Sequence, residues 1–184
     1  MENLQVKASE VEVWHTFVTD ASAAARVELT EDSESYLVFL LMRLTEATYL
    51  ATNIVTLDYL RTFNEPRAKR QLLLRDIGDK CLILAGLFPG IAIRRRVRVS
   101  YFVQIGRSAY QQLAILHERL QSDLYAGLSQ QFVQMVDVLH AARKVNPLEP
   151  LQAVEFWEDT ASHMAYQRFD GTLSDYFNDK KKLH

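Results

Sequence analysis

A chain of 184 residues, 48% hydrophobic and 24% charged, has the size and composition of one soluble globular domain with a sizeable core. Six glycines and four prolines are too few for a turn-rich β fold, and a single cysteine, Cys81, excludes an internal disulfide. The formal charge of −2 hides a division: residues 61–107 carry eleven Lys/Arg against three acids, a net of +8, and the remainder carries −10.

The first helix is expected to open on a capping box, Ser9-Glu-Val-Glu12, with Val13, Phe17, Ala21 and Ala24 as its apolar positions. The polar, acidic stretch from Thr30 to Ser35 separates it from a second helix capped by Asp32 or Ser33, with Leu37, Leu40, Leu41 and Leu44 on one stripe. A third helical stretch is expected over Thr52 to Phe63. Asn64-Glu-Pro66 then restarts the chain, because asparagine caps and proline suits a first turn.

The helix near 65–88 reads as the centre of the molecule. Leu74, Ile77, Gly78, Cys81, Leu84, Ala85 and Phe88 form a broad face, and every residue from Cys81 to Phe88 is apolar or glycine. Gly78 and Gly86 each cost about 1 kcal/mol against alanine in a helix interior, which predicts compensation by a closely approaching neighbour. Pro89-Gly90 ends this helix. Residues 91–99 read as an extended connector leading to Ser100 as the next N-cap. The stripe Phe102, Ile105, Ala109, Leu113, Leu116 and Leu120 predicts a long amphipathic helix.

Ser122 is expected to cap a further helix carrying Leu124, Leu128, Phe132, Met135 and Leu139. Asn146-Pro-Leu-Glu-Pro150 forms a linker before a last helix with Leu151, Val154, Trp157, Ala161 and Met164. The expected fold is therefore all-α: one domain over residues 1–170, a bundle of six to seven helices with a buried central helix near 65–88. Residues 171–184, with Lys180-Lys-Lys182, read as a flexible basic tail. The N-terminus has neither the basic start nor the apolar core of a secretory leader. Cys81 to Ile93, the longest apolar uncharged stretch, is well short of the ~20 residues that span a bilayer. A cytoplasmic protein is expected.

Two pairs have the spacing of metal-ligating helices. Glu12-Val-Trp-His15 matches the Glu-x-x-His of helical di-iron sites and Asp137-Val-Leu-His140 is a near variant, because residues at i and i+3 share a helix face. Glu46, Glu118 and Glu155 are the nominal bridging carboxylates, although nothing in their neighbours singles them out. The plainer reading makes these pairs, and Asp159 with His163, surface neighbours. Cys81 lies in an apolar run that keeps a thiol inert, and Ser108 lacks the Gly-x-Ser-x-Gly turn of a nucleophile. No catalytic constellation assembles and no cofactor is implied.

The candidate binding residues are Arg94, Arg95, Arg96 and Arg98 with Tyr101, joined by Arg75 and Asp79 from the central helix. In that helix the pairs Arg75 with Asp79 and Asp76 with Lys80 fall at i, i+4. The arginine run has three readings. In the first, the chain's own acids answer it, among them Glu28, Glu31, Asp32, Glu34, Glu155, Glu158 and Asp159. In the second, it contacts nucleic acid through phosphates and the rings of Tyr101, Phe102 and Tyr110, against which stand a pI near 6.2 and the lack of a reading module. In the third, it docks on an anionic membrane surface beside Leu87-Phe-Pro-Gly-Ile-Ala-Ile93.

Three patterns occur together: Tyr36-Leu-Val-x-Leu-Leu41, then Arg75-Asp-Ile-Gly-Asp79 running on to Leu84-Ala-Gly-Leu-Phe-Pro89, and Tyr101-Phe-Val-x-x-Gly-Arg-Ser-Ala-Tyr110. In these the chain resembles a family of all-helical bacterial proteins of about this length, to which no activity is attached. The resemblance covers most of residues 10–115 and implies a bacterial cytoplasmic setting. The expected function is a non-enzymatic interaction domain that binds itself, as a homodimer, or a protein partner through the basic connector.

Overall fold

Apolar residues recurring at three- and four-residue intervals fold into helices throughout the computed structural model, which describes residues 2–46, 55–143, 150–167 and residue 170. In chain order these are α1 (Glu2–Ala25), α2 (Glu31–Glu46), α3 (Val55–Arg61), α4 (Arg67–Gly86), α5 (Gly90–Arg94), α6 (Val99–Leu116), α7 (Arg119–Gln130), α8 (Phe132–Ala142) and α9 (Pro150–Thr160). A 3-10 turn, Thr62–Asn64, joins α3 to α4, residues 163–167 are again helical, and no strand occurs among the described residues. The all-α bundle is as expected. It has more pieces than expected, because the connector contains the short α5 and the helix after Ser122 breaks at Gln131 into α7 and α8. The linker at 146–149 and the tail 171–184 lie outside the described residues.

Several helix starts differ from the capping pattern. Helix α1 begins well before Ser9, so the capping box lies in mid-helix. Thr30 rather than Asp32 or Ser33 caps α2: its Oγ1 accepts the Ser33 N–H at 3.3 Å, with Glu31, Asp32 and Glu34 in the first turn where the helix dipole favours acids. Ser122 instead donates its hydroxyl to the Ala114 carbonyl at 2.8 Å, tying α7 to the end of α6. Helix α6 stops at Leu116, so Leu120 leaves the expected stripe and stands exposed on α7.

Helix α4 is central, as its apolar face predicts. It lies along α6, which in turn packs on α7, while α8 packs against both α4 and α1, and α1 against α2. One hydrophobic cluster joins them through Leu74, Cys81, Leu82, Phe102, Phe132 and Leu139, all essentially buried. Residues Cys81 to Gly86 are covered on every side, but Phe88 is past the helix end and exposed.

Glycines set the helix spacing. A Cβ at Gly78 would run into the Tyr110 ring of α6, and one at Gly86 would lie 2.5 Å from the Leu139 Cβ of α8. A Cβ at Gly106 would meet the Phe132 ring and stand 2.9 Å from the Cys81 Cβ. By contrast, a Cβ at Gly127 meets nothing within 4 Å. Gly78→Ala and Gly106→Ala are therefore expected to destabilise by about 1–3 kcal/mol through overpacking, despite alanine's better helix propensity. Gly127→Ala is expected to stabilise by about 0.5–1 kcal/mol. Urea unfolding of the three variants checks this; the same sign at all three positions would refute the close-packing account.

Candidate functional site

Helix α4 carries a carboxylate into the core. Asp79 is 0% exposed, and an unpaired charge there would be prohibitive. Three donors meet it: the Tyr36 hydroxyl at 2.6 Å and the Tyr110 hydroxyl at 2.7 Å, both to Oδ1, and Arg43 Nη2 at 2.9 Å to Oδ2. Tyr36 and Arg43 are seven residues apart on α2 and so share one face. The Tyr110 ring reaches Asp79 because Gly78 gives it room against the α4 backbone. Burial pushes the Asp79 pKa up, and the two phenols and the nearby Arg43 and Arg75 charges oppose it. Both Tyr36 and Tyr110 are raised by burial and by the adjoining carboxylate.

Around this group the rings of Tyr36, Tyr110 and Tyr125 meet edgewise or tilted, with Tyr36–Tyr110 centroids 5.9 Å apart and Tyr110–Tyr125 6.0 Å. His117 stacks on Tyr125 at 5.3 Å. Asp79 bonds to Arg43 of α2, a partner its i, i+4 relation to Arg75 did not suggest. With no exposed surface and three donors satisfied, Asp79 ties helices together and has no face to offer a ligand.

The basic connector is not extended. After α4 ends at Gly86, α5 makes one turn and closes with the Val97 N–H on the Ala92 carbonyl at 3.0 Å, an i to i−5 bond that terminates a helix. That closure places Arg96 at φ 55°, in the left-handed region. Arg98, not Ser100, takes the N-cap position of α6, and its side chain does not cap. Ser100 is buried inside α6 and donates its hydroxyl to Asp159 Oδ2 at 2.6 Å. Arg98 Nη1 adds bonds to both Asp159 oxygens, at 3.1 and 3.2 Å, and Nη2 approaches Glu155 at 4.0 Å. The Ser100 hydrogen bond and the Arg98 guanidinium together hold the Asp159 pKa below its usual value.

The candidate arginines thus divide. Arg98 is answered by acids of α9, as the intramolecular reading expects for that residue. Arg94 and Arg96 are exposed, Arg95 is half-buried, and half-buried Tyr101 packs edge-on to Phe102 with centroids 5.3 Å apart. Other basic side chains serve the fold. Arg67 donates Nε and Nη2 to the Leu116 carbonyl at the end of α6, Arg70 donates to Gln112 and covers the Phe63 ring, and Arg107 Nε donates to the Ser129 carbonyl. The +8 segment is therefore not one patch. Arg67, at the start of α4, and the Arg94–Arg98 turn, beyond its end, are separated by the length of a 20-residue helix, roughly 30 Å.

The metal-spaced pairs do other work. His15 Nε2 lies 3.6 Å from Glu34 Oε1 of α2, while Glu12 is exposed. Asp137 is buried and accepts the Ser162 hydroxyl at 2.5 Å and the backbone N–H groups of His163 at 3.0 Å and Met164 at 3.4 Å, so it caps the helical residues 163–167 from another helix. His140 donates Nε2–H to the Ala85 carbonyl at 2.9 Å, near the end of α4. Asp159 and His163, four apart in sequence, do not share a helix turn, because α9 ends at Thr160 and Ala161 turns left-handed at φ 55°. Among the described residues no group of three His, Cys, Asp or Glu stands close enough to hold a metal ion. Burial raises the Cys81 thiol pKa, which keeps it unreactive.

Sequence reasoning missed Tyr36, Arg43 and Tyr110 as a set. The one local signal was an aspartate beside Gly78, two residues before the apolar run of α4, a residue type that needs donors when it is buried. Comparison with known protein families, with curated proteins and with solved structures finds no match to this chain.

Burial lowers the His140 pKa from 6.5 to about 4, against the raising effect of its bond to Ala85, so the folded imidazole stays neutral. The unfolded chain takes up that proton first, and the residue's contribution, full above about pH 6.5, is lost as pH falls toward 4. Asp137 works in the opposite direction: burial raises its pKa from 3.8 to about 6, so its share is lost as pH rises through that value. His140→Gln keeps a donor for Ala85 and removes only the histidine's share. The stability of wild type relative to this variant is expected to fall by about 3 kcal/mol between pH 7 and pH 4. Parallel unfolding curves across that range would count against a neutral buried His140.

Proposed function

We propose that this chain is a non-enzymatic helical interaction domain, and that it docks an acidic protein surface through the basic turn between α4 and α6. One observation carries the reading. Arg96 occupies the left-handed position that closes α5, where glycine is favoured and a side chain costs about 1 kcal/mol or more. Its side chain is exposed beside exposed Arg94. A side chain that accepts such strain with no gain in packing points to a role in what it contacts.

The turn is also rigidly mounted, since α4 precedes it and the Arg98–Asp159–Ser100 clamp fixes the chain directly after it. A rigid display loses little entropy on binding, which suits recognition of a charged surface. A second copy of the chain is one such partner: Glu28, Glu31 and Asp32 stand exposed where α1 passes to α2. No helix among the described residues is long and apolar enough to cross a membrane.

Arg96→Gly separates binding from stability. It is expected to raise stability by about 1 kcal/mol in urea unfolding, because glycine accepts the positive φ. It is also expected to weaken binding of a fluorescein-labelled oligoglutamate severalfold, and Arg94→Glu with Arg96→Glu to abolish it. Single-stranded RNA and phosphatidylserine vesicles at equal charge serve as competitors. Arg94- and Arg96-dependent binding of either of these, with none of the peptide, would overturn the protein-partner reading.

A further inference from the structure

Helix α6 buries one face through Phe102, Gly106, Ala109 and Leu113, and leaves another open. Gln104, Arg107, Ser108 and Gln111 follow Ser100 at i+4, i+7, i+8 and i+11, so they form one stripe along the helix. This stripe floors a cleft of 540 Å³ that is walled by Ala126 and Ser129 of α7 and by Asp159 and Thr160 of α9. A second hollow of 380 Å³, between Arg96–Ser100 and Leu151–Glu155, also reaches Asp159. The Arg98–Asp159–Ser100 clamp thus stands between two adjoining hollows, one beginning at the basic turn and the other running on down α6.

We propose that this trench binds an extended acidic segment of the partner, with the peptide main chain held by Gln104 and Gln111 and its carboxylates met by Arg96 and Arg107. The proposal rests on the protein-partner reading above and adds the form of the ligand. The chemistry of the lining selects it. A primary amide both donates and accepts, which matches the alternating N–H and C=O of an extended chain. Arg107 is held in place by its Nε bond to the Ser129 carbonyl at 3.2 Å. The two acids of the smaller hollow are both paired with Arg98, Asp159 at 3.1 Å and Glu155 at 4.0 Å, and Asp159 also accepts the Ser100 hydroxyl, which leaves Arg96 and Arg107 to meet an acidic guest. No aromatic ring is among the residues that line the larger cleft, which leaves a nucleobase without a stacking partner. From Ser100 to Gln111 the helix runs about 16 Å, the length of about five extended residues.

The test uses the full chain and two fluorescein-labelled hexapeptides of alternating glutamate and alanine, one with N-methyl groups on alternate main-chain amides. Fluorescence anisotropy is expected to show the methylated peptide at least tenfold weaker. Gln104→Ala with Gln111→Ala is expected to weaken the plain peptide about tenfold and leave the methylated one unchanged. Both glutamines are exposed, so an unchanged unfolding midpoint separates lost contact from lost fold. Ala126→Leu, which fills the larger cleft, is expected to act in the same way as the glutamine pair. Equal binding of both peptides, sensitive to Arg94 and Arg96 but not to the glutamines, would overturn the trench and leave the basic turn as the docking surface. Binding of neither peptide would overturn both readings.

Discussion

A carboxylate with no exposed surface has to be answered by donors from its own chain, and at Asp79 that requirement determines how three helices meet. Tyr36 and Arg43 come from α2, Asp79 from α4 and Tyr110 from α6. Each hydrogen bond to a charged group is worth about 1.5–3 kcal/mol net, but leaving the buried carboxylate without its donors costs more than the bonds contribute. The group therefore acts less as added stability than as a penalty on every arrangement that separates the three helices. Gly78 is part of the same constraint, because a side chain there would push the Tyr110 ring off the α4 backbone and its hydroxyl away from Asp79.

The rest of the architecture follows from holding α4 against α6. At one end of the pair, Arg67 and Gln71 of α4 donate to the Leu116 carbonyl and satisfy the open end of α6. At the other end, α5 and the arginine turn have to bridge two helices whose separation is already fixed. Arg98 and Ser100 then attach the start of α6 to Asp159 of α9, which helps form the trench beside it. In the proposed function the turn is an edge of the bundle, and the strain at Arg96 is borne by the turn's own closing bond and by the Arg98–Asp159–Ser100 contacts that follow it.

What the sequence disclosed, and what it did not, divides along a physical line. Periodicity and glycine placement report on backbone packing, so α4, the buried run Cys81–Gly86 and the close approaches at Gly78 and Gly86 were legible. Hydroxyl residues report poorly on helix ends. Ser100 and Ser122 look like caps, yet each donates its proton to a distant acceptor, Asp159 or the Ala114 carbonyl, and a local pattern carries no information about such partners. The same holds for charge. Eleven basic residues in one stretch suggested a patch, but Arg67, Arg70, Arg98 and Arg107 are engaged within the molecule. Asp137 and His140 do share a helix face, but one caps a following helical segment and the other binds a carbonyl near the end of α4.

The claim that Asp79 couples α4 to α6 through Tyr110 is open to a double-mutant cycle with Tyr110→Phe and Asp79→Ala, followed by urea unfolding. In wild type, Tyr110→Phe removes a donor from a buried carboxylate and is expected to cost about 1–3 kcal/mol. In the Asp79→Ala background the phenol has already lost its acceptor, so the same change is expected to be neutral or stabilising. That corresponds to a coupling of at least about 1 kcal/mol. Equal costs of Tyr110→Phe in the two backgrounds would contradict the account.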